Sequence, residues 1–454
     1  MLIDNETIVA LATANGIGAI AVIRISGVKA IEISNTIFKG KNLLEASTHT
    51  VHFGLVHDQG VPVDEVVATI FKAPKSYTGE NIVEISCHGS SFIVKKIIQL
   101  LITHGARYAK AGEFTLRAFI NGKIDLAQAE AVADMIAVDS EASHIAAITQ
   151  MRGGFSQDII NLRQELINFA SLIELELDFS EEDVEFADRK KLTDLVVSIR
   201  RTVDALIKSF DLGNVIKNGV PTVIIGKPNA GKSTLLNALL KEDKAMVSEI
   251  EGTTRDFIED EISIEGINFR FVDTAGIRQS VDKLEMMGIE RTRQKMKLAS
   301  LIIYLFDINS TSEKELIESI DEIKVLNIPY LIVGNKIDVT SKKVNLFKNF
   351  DGIIYISAAH QAGLEELKVK LLEAINFTNF KTGNTIVTNM RHFESLSNTS
   401  SSLHKVLMAI EQKTTSEFLA QDIRQALYFL GEITGEITND DLLGNIFSKF
   451  CIGK

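Results

Sequence analysis

Along residues 1 to 118, short apolar runs alternate with glycine-bearing turns. Thr7 to Ala12, Ala19 to Ser26, His49 to Val56, Val66 to Phe71 and Asn81 to Cys87 read as β-strands. The period then changes. Ile93, Val94, Ile97, Ile98 and Leu101 fall on one face of a helix over Ser91 to His104, and Gly105 stands where a left-handed C-cap belongs. The pattern predicts an α+β domain in which one sheet packs against few helices.

From about Phe114 the strand signals stop. An alanine-rich segment from Leu126 to Val138 is followed by helically spaced Leu162, Leu166, Phe169 and Ile173, then by Leu192, Leu195, Val196, Ile199, Val203, Leu206 and Ile207. Between Glu174 and Asp188 eight of fifteen residues are acidic, which reads as a solvated helix end or loop rather than a site. Gly213 to Gly219 reads as a linker. Beyond it, strand candidates alternate with helices: Val220 to Ile225, Ile262 to Ile264, Phe269 to Val272, Leu301 to Phe306, Tyr330 to Val333 and Ile353 to Ile356. That alternation predicts a doubly wound, mostly parallel sheet, and Glu265-Gly266 predicts a hairpin that adds one antiparallel strand. After Asn376 helical spacing returns and runs to Lys454.

The expected architecture is therefore multidomain, α/β and α+β. It has an N-terminal α+β domain (1–118), a discontinuous helical domain (119–217 plus 377–454) and an inserted α/β domain (218–376).

Composition narrows the setting. A length of 454 residues calls for more than one core, and the hydrophobic and charged fractions are those of globular proteins. The net charge of −12 excludes a protein that coats nucleic acid by charge alone, so an RNA substrate needs a local patch or a basic partner. Two distant cysteines, Cys87 and Cys451, are too few for a thiolate zinc site and suit a reducing compartment. The opening Met1-Leu2-Ile3-Asp4-Asn5-Glu6 is acidic where a signal peptide is basic, and no apolar run is long enough to span a membrane. A cytoplasmic location is expected.

The α/β segment carries the chemistry. Gly226-Lys227-Pro228-Asn229-Ala230-Gly231-Lys232-Ser233 lies between a strand and a helix, the context of a phosphate-binding P-loop. Glycines let backbone N–H groups turn toward phosphate, Lys232 supplies a point charge, the Ser233 hydroxyl suits Mg²⁺, and the helix start completes the anion site. Gly252-Thr253-Thr254-Arg255-Asp256 lies in the interval of a switch loop, where Thr254 or Thr253 can reach Mg²⁺. Asp273-Thr274-Ala275-Gly276 follows a strand, with Asp273 suited to hold Mg²⁺ through water and Gly276 to bond the terminal phosphate. Asn335-Lys336-Ile337-Asp338 follows the next-but-one strand; its carboxylate accepts both the N1–H and the exocyclic amine of guanine, which adenine does not offer. Ser357-Ala358-Ala359 backs the base. Four such motifs in this order at strand ends specify GTP. Ile277 stands where Ras-like enzymes carry a water-orienting glutamine, so that group must come from elsewhere, among Arg278, Gln279, Asp282 and Glu285.

Segments outside the GTP motifs are more distinctive: Thr7 to Ala10, Arg24 to Gly27, Tyr77 to Glu80, Gly112 to Thr115, Arg117 to Phe119, Asn121 to Lys123, Ala127 to Ala131, and Cys451-Ile452-Gly453-Lys454. On these, the whole chain resembles the MnmE/TrmE family of tRNA-modification GTPases, which act on the wobble uridine. Its opening loop Ala14-Asn15-Gly16-Ile17-Gly18 lacks the proline pair and arginine usual there. The resemblance implies a reduced-folate site (5,10-methylene- or 5-formyl-tetrahydrofolate) in an N-terminal dimerisation domain. Its contacts would fall on Arg24, Glu84 and Lys123, with Lys454 arriving from a partner subunit.

It also implies K⁺ held by Asn229, Ser248, Ile250 and Thr253, and Glu285 as the residue that orients the attacking water, beside Lys232 and Thr254 in catalysis. GTP contacts extend through Thr234. A homodimer working with a FAD-dependent partner of the MnmG/GidA type on tRNA, adding a carboxymethylaminomethyl-type group at carbon 5, is the implied machine. The alternative is a regulatory ribosome-assembly type GTPase that binds rRNA.

Overall fold

The computed structural model describes residues 6–178, 189–243, 260–272, 299–339, 347, 350–375 and 385–454. By its contacts the chain forms two compact units. The first comprises Met1–Ile136, Gln150–Arg200 and Asn398–Lys454, the second Ala137–Thr149 and Arg201–Ser397.

The first unit is built on a seven-stranded sheet of β1 (Ile8–Leu11), β2 (Gly18–Ser26), β3 (Phe38–Lys39), β4 (Thr50–Asp58), β5 (Val61–Phe71), β6 (Ile82–Gly89) and β7 (Arg107–Tyr108). The order is β3-β4-β5-β6-β2-β1-β7, antiparallel except for the parallel β1–β7 edge. Alternation sets its two faces. Ala21, Ile23 and Ile25 of β2 and Val83, Ile85 and Cys87 of β6 are buried in one cluster with α1 (Ala30–Ile37) and α2 (Ser91–Thr103), each large aliphatic contributing roughly 1.5–3 kcal/mol.

All five expected strands and the α2 helix are present, and Gly105 takes its left-handed φ of 107°. The periodicity gave no sign of α1 or of the two-residue strands β3 and β7. The helical part of this unit includes α3 (Glu113–Ile120), α4 (Leu126–Ile136) and α6 (Gly154–Asp178). It also includes α12 (Ser416–Thr434), which packs along α6, and α13 (Asp440–Phe447), which packs on α3 through Leu116, Leu443, Ile446 and Phe447.

The second unit carries a six-stranded sheet in the order β13-β12-β11-β8-β10-β9. Its strands are β8 (Val220–Ile225), β9 (Asp260–Ile264), β10 (Ile267–Phe271), β11 (Leu301–Asp307), β12 (Tyr330–Asn335) and β13 (Ile353–Tyr355). β9 alone runs antiparallel. The β9–β10 turn is Glu265-Gly266, with φ of 49° and 78°, the pair of left-handed residues a two-residue hairpin requires. Helix α5 (Glu141–Met151) begins against that turn: Ala142 N–H donates to the Gly266 carbonyl at 3.3 Å.

The linker expected over Gly213 to Gly219 is a correction. Helix α7 (Arg189–Asn218) continues through it, because Gly213 lets the Val387 carbonyl approach to where a Cβ would stand only 2.0 Å away. Only Gly219, at φ 69°, ends the helix.

Candidate GTP site and the Arg24 cluster

β8 is the strand from which the phosphate loop leaves. It lies between β10 and β11 with Thr222 to Ile225 buried, so the loop emerges at the carboxyl edge of the sheet, where open α/β sheets bind ligands. Gly226 (φ 151°) passes so close to β11 that an added Cβ would meet the Leu305 carbonyl oxygen at 2.0 Å. Gly231 (φ 98°) passes equally close to the Asn335 amide, at 2.3 Å. Exposed Asn229 takes a left-handed φ of 62°. Lys232 opens helix α8 (Lys232–Asp243), with Ser233 and Thr234 in its first turn. Its ammonium is half-buried and donates to the carbonyls of Gly226 at 2.7 Å and Lys227 at 2.9 Å. Burial pulls its pKa down.

The base-reading loop follows β12. Asn335 is buried, accepts from Ala358 N–H at 3.0 Å and donates to the Ala230 carbonyl at 2.8 Å, tying the phosphate loop to the segment Ser357-Ala358-Ala359. The Ser357 hydroxyl donates to Asp338 at 2.5 Å, and this bond lowers the Asp338 pKa. Asp338 therefore stays an anion, the form that accepts both guanine donors. Asn229, Ala230, Gly231, Lys232, Ser233, Thr234, Asn335, Lys336, Asp338, Ser357, Ala358 and Ala359 all lie on these loops or on the first turn of α8 and the end of β12 that flank them. Ser248, Ile250, Thr253, Thr254, Asp273, Thr274, Ala275, Gly276 and Glu285 lie outside the described residues. The sequence reading missed Asp307 and Asn309 at the end of β11, which hold Lys336, and Glu315, which pairs with Lys227 at 2.7 Å. An acidic residue closing an apolar strand was the available signal for Asp307.

In the first unit, β2 and β6 place Arg24 opposite Glu84, and their side chains pair at 2.8 Å on the sheet face away from the core. The guanidinium lies 5.4 Å from the Tyr77 ring centroid and 5.8 Å from that of Phe114. Tyr77 shares a 2.8 Å hydrogen bond with Thr115, and burial raises its pKa. On the same helix as Thr115, Arg117 is 1% exposed and donates to Glu80 and Glu113, while Glu113 also accepts from Arg107 at 2.7 Å. Asn121 donates to the Thr78 carbonyl at 2.7 Å, and the Lys123 stem lies on Gly79 with its ammonium on the Pro74 carbonyl at 3.1 Å.

The C-terminal tail packs against residues of the first unit. Gly112 N–H donates to the Cys451 carbonyl, and Gly453 (φ 101°) passes so close to β1 that an added Cβ would meet the Leu11 carbonyl oxygen at 2.1 Å. Lys454 thus lies at the end of β1, which pairs with Arg24's own strand. The opening loop Thr13 to Gly18 lines, with Lys95, Ile98 and Tyr108, a cavity of about 450 Å³ that does not include Arg24 or Glu84.

A phosphate loop leaving the central parallel strand, with an Asn-Lys-x-Asp loop locked against it, defines a P-loop GTPase. Comparison narrows the class. Residues 7–123 match the N-terminal region of the GTP-binding protein TrmE, and residues 126–451 match the MnmE helical domain. The tRNA modification GTPase MnmE of Cytophaga hutchinsonii is 63% identical over 99% of this chain and 98% of its own, and that of Flavobacterium johnsoniae is 53% identical over the full length of both. The chain belongs to the MnmE family of tRNA modification GTPases. Among solved structures, the FeoB G-domain from Methanococcus jannaschii is similar over 35% of this chain and 97% of that one, with 23% identity and a TM-score of 0.26. Family membership replaces the ribosome-assembly alternative. No helix among the described residues is long and apolar enough to cross a membrane.

Proposed function

We propose that this GTPase times the folate-dependent addition of a carboxymethylaminomethyl-type group to carbon 5 of the wobble uridine, in the cytoplasm, with a FAD-dependent partner of the MnmG/GidA type. The single observation that carries the reading is the Arg24–Glu84 pair, a cation and a carboxylate 2.8 Å apart on the open sheet face and backed by Tyr77 and Phe114. A pterin presents donors and acceptors on one edge, which suit Glu84, and a folate tail presents carboxylates, which suit Arg24, Lys123 and Lys454. Reduced folate, when bound, supplies the one-carbon unit. Arg24 and Glu84 orient it, and the two rings keep water from their inner side.

In the GTP site Lys232 would hold the outer phosphates, Ser233, Thr254 and Asp273 would hold Mg²⁺, and Asn335, Lys336 and Asp338 would read guanine. Glu285 orients the attacking water. Asn229, with Ser248, Ile250 and Thr253, would hold K⁺, which would supply positive charge to the site; Asn229 is exposed in a left-handed turn, accessible to such an ion. A homodimer through residues 1–118 is supported by exposed apolar side chains on that domain, Ile17, Ile20, Val51 and Phe53. The helical domain takes 119–217 plus 377–454 and the GTPase domain 218–376.

Mass-spectrometric nucleoside analysis of tRNA from cells lacking the protein is the test. Loss of the carbon-5 substituent from wobble uridine is expected, and unchanged nucleosides would sink the proposal. GTPase rates in KCl and NaCl check the ion, with equal rates removing it.

A further inference from the structure

Asp307 closes strand β11, Asn309 follows two residues on, and both bond Lys336 of the base-reading loop. The Asp307 carboxylate is mostly buried. One oxygen accepts from the Lys336 ammonium at 2.9 Å and the other from Asn309 N–H at 2.9 Å. The Asn309 amide donates to the Lys336 carbonyl at 3.1 Å. Burial pushes the Asp307 pKa up, but the hydrogen bonds from Lys336 and Asn309 outweigh it and the net shift is downward, so the pair is ionic at neutral pH.

Lys336 needs such support. Its φ of 67° is left-handed, a conformation that costs a side-chain-bearing residue roughly 1–2 kcal/mol. Its neighbours are fixed from other directions, Asn335 by Ala230 and Ala358, and Asp338 by Ser357. Those anchors come from the phosphate loop and the base-backing segment. The β11 pair is the third anchor: it holds the Lys336 ammonium through Asp307 and, together with Val339 N–H at 3.2 Å, the Lys336 carbonyl through Asn309.

We propose that Asp307 and Asn309 are positioning residues for guanine recognition, holding Lys336 in its left-handed turn so that its stem covers the base and Asp338 meets the base edge. Their effect passes through Lys336. It concerns how tightly and selectively the base is held, and leaves the hydrolytic step alone.

The test is GDP and IDP binding to the full-length protein and its Asp307→Asn and Asn309→Ala variants, with GTPase kcat at saturation. IDP lacks the exocyclic amine, so the GDP/IDP affinity ratio reports the Asp338 contact itself. Asp307→Asn is isosteric and keeps an acceptor for Asn309 N–H. GDP affinity is expected to fall about tenfold and the GDP/IDP ratio severalfold, with kcat within about twofold. In a Lys336→Met background the same substitution should cost less than about twofold. An unchanged GDP affinity, equal losses for GDP and IDP, or an undiminished penalty in the Lys336→Met background would each overturn the proposal. Asn309→Ala keeps the test decisive if Asp307→Asn folds poorly: the same fall in ratio supports the assignment, and wild-type ratio refutes it.

Discussion

Replacing Asn335 with alanine removes a single amide that joins the phosphate loop, the base-reading loop and the base-backing segment. The side chain is buried, donates to the Ala230 carbonyl at 2.8 Å and accepts from Ala358 N–H at 3.0 Å. Each neutral hydrogen bond contributes about 1 kcal/mol net, and a buried partner left unsatisfied costs about 1–3 kcal/mol. Water entering the gap recovers part of this, which puts the total near 2–4 kcal/mol.

The apo protein bears some of that cost as lower stability. The rest falls on binding, because the nucleotide must then order loops that the amide had already ordered. GDP affinity is expected to drop by roughly 10- to 100-fold, most of it in a faster dissociation rate. Gly231 adds to the effect, since its backbone runs directly past the Asn335 nitrogen and loses its support. Displacement of a fluorescent GDP analogue in a stopped-flow instrument gives the off-rate, and a thermal melt of the nucleotide-free protein gives the stability share. An affinity within about threefold of wild type would show that the three loops are ordered without this amide, and the reasoning would fail.

Asp338→Asn exchanges the acceptor of guanine's two donors for a group with one acceptor and a donor, so GTP binding should weaken by at least about 100-fold while XTP binding improves; parallel loss of both would argue that Asp338 only props Ser357. Glu113 is buried, which alone would raise its pKa, but Arg107, Lys110 N–H and Arg117 carry it from 4.5 down to about 2. A depressed carboxylate stabilises the fold fully above about pH 4.5 and loses that share as pH falls toward 2, so urea midpoints of the N-terminal region should fall by the equivalent of roughly 2 kcal/mol from pH 6 to 3 in wild type and much less in Glu113→Gln. Burial pushes the Cys87 thiol up to about 11, so iodoacetamide at pH 8 should label exposed Cys451 alone in the native protein; two labels without denaturant would contradict the packing of β6.

What the sequence disclosed depended on how local each feature is. β8, β11 and β12 are largely buried and appear as predominantly apolar runs, and the β9–β10 hairpin was carried by two adjacent turn residues. Helix α1 has eight residues, and β3 and β7 two each, too short for a period to show. Gly213 looked like a linker because nothing nearby in sequence reveals that the Val387 carbonyl needs the space. The same divide runs through the sites. Motifs that turn the chain around phosphate or base are contiguous and legible, whereas Asp307 acquires its role only by meeting Lys336 across the β11–β12 pair.

The Arg24 cluster lies between these cases. Tyr77 to Glu80 and Gly112 to Arg117 stood out as distinctive segments with no chemistry of their own, and the structure supplies one. Glu80, Glu113, Arg107 and Arg117 form an ionic network that shares helix α3 with Phe114, one of the two rings beside Arg24. Removing one partner from such a buried network strands the others, at a cost of about 3–5 kcal/mol. Those segments therefore build the floor of the Arg24–Glu84 pair, and a defect at Arg117 should reach Arg24 through Phe114 and Thr115, which sit on the same helix turns.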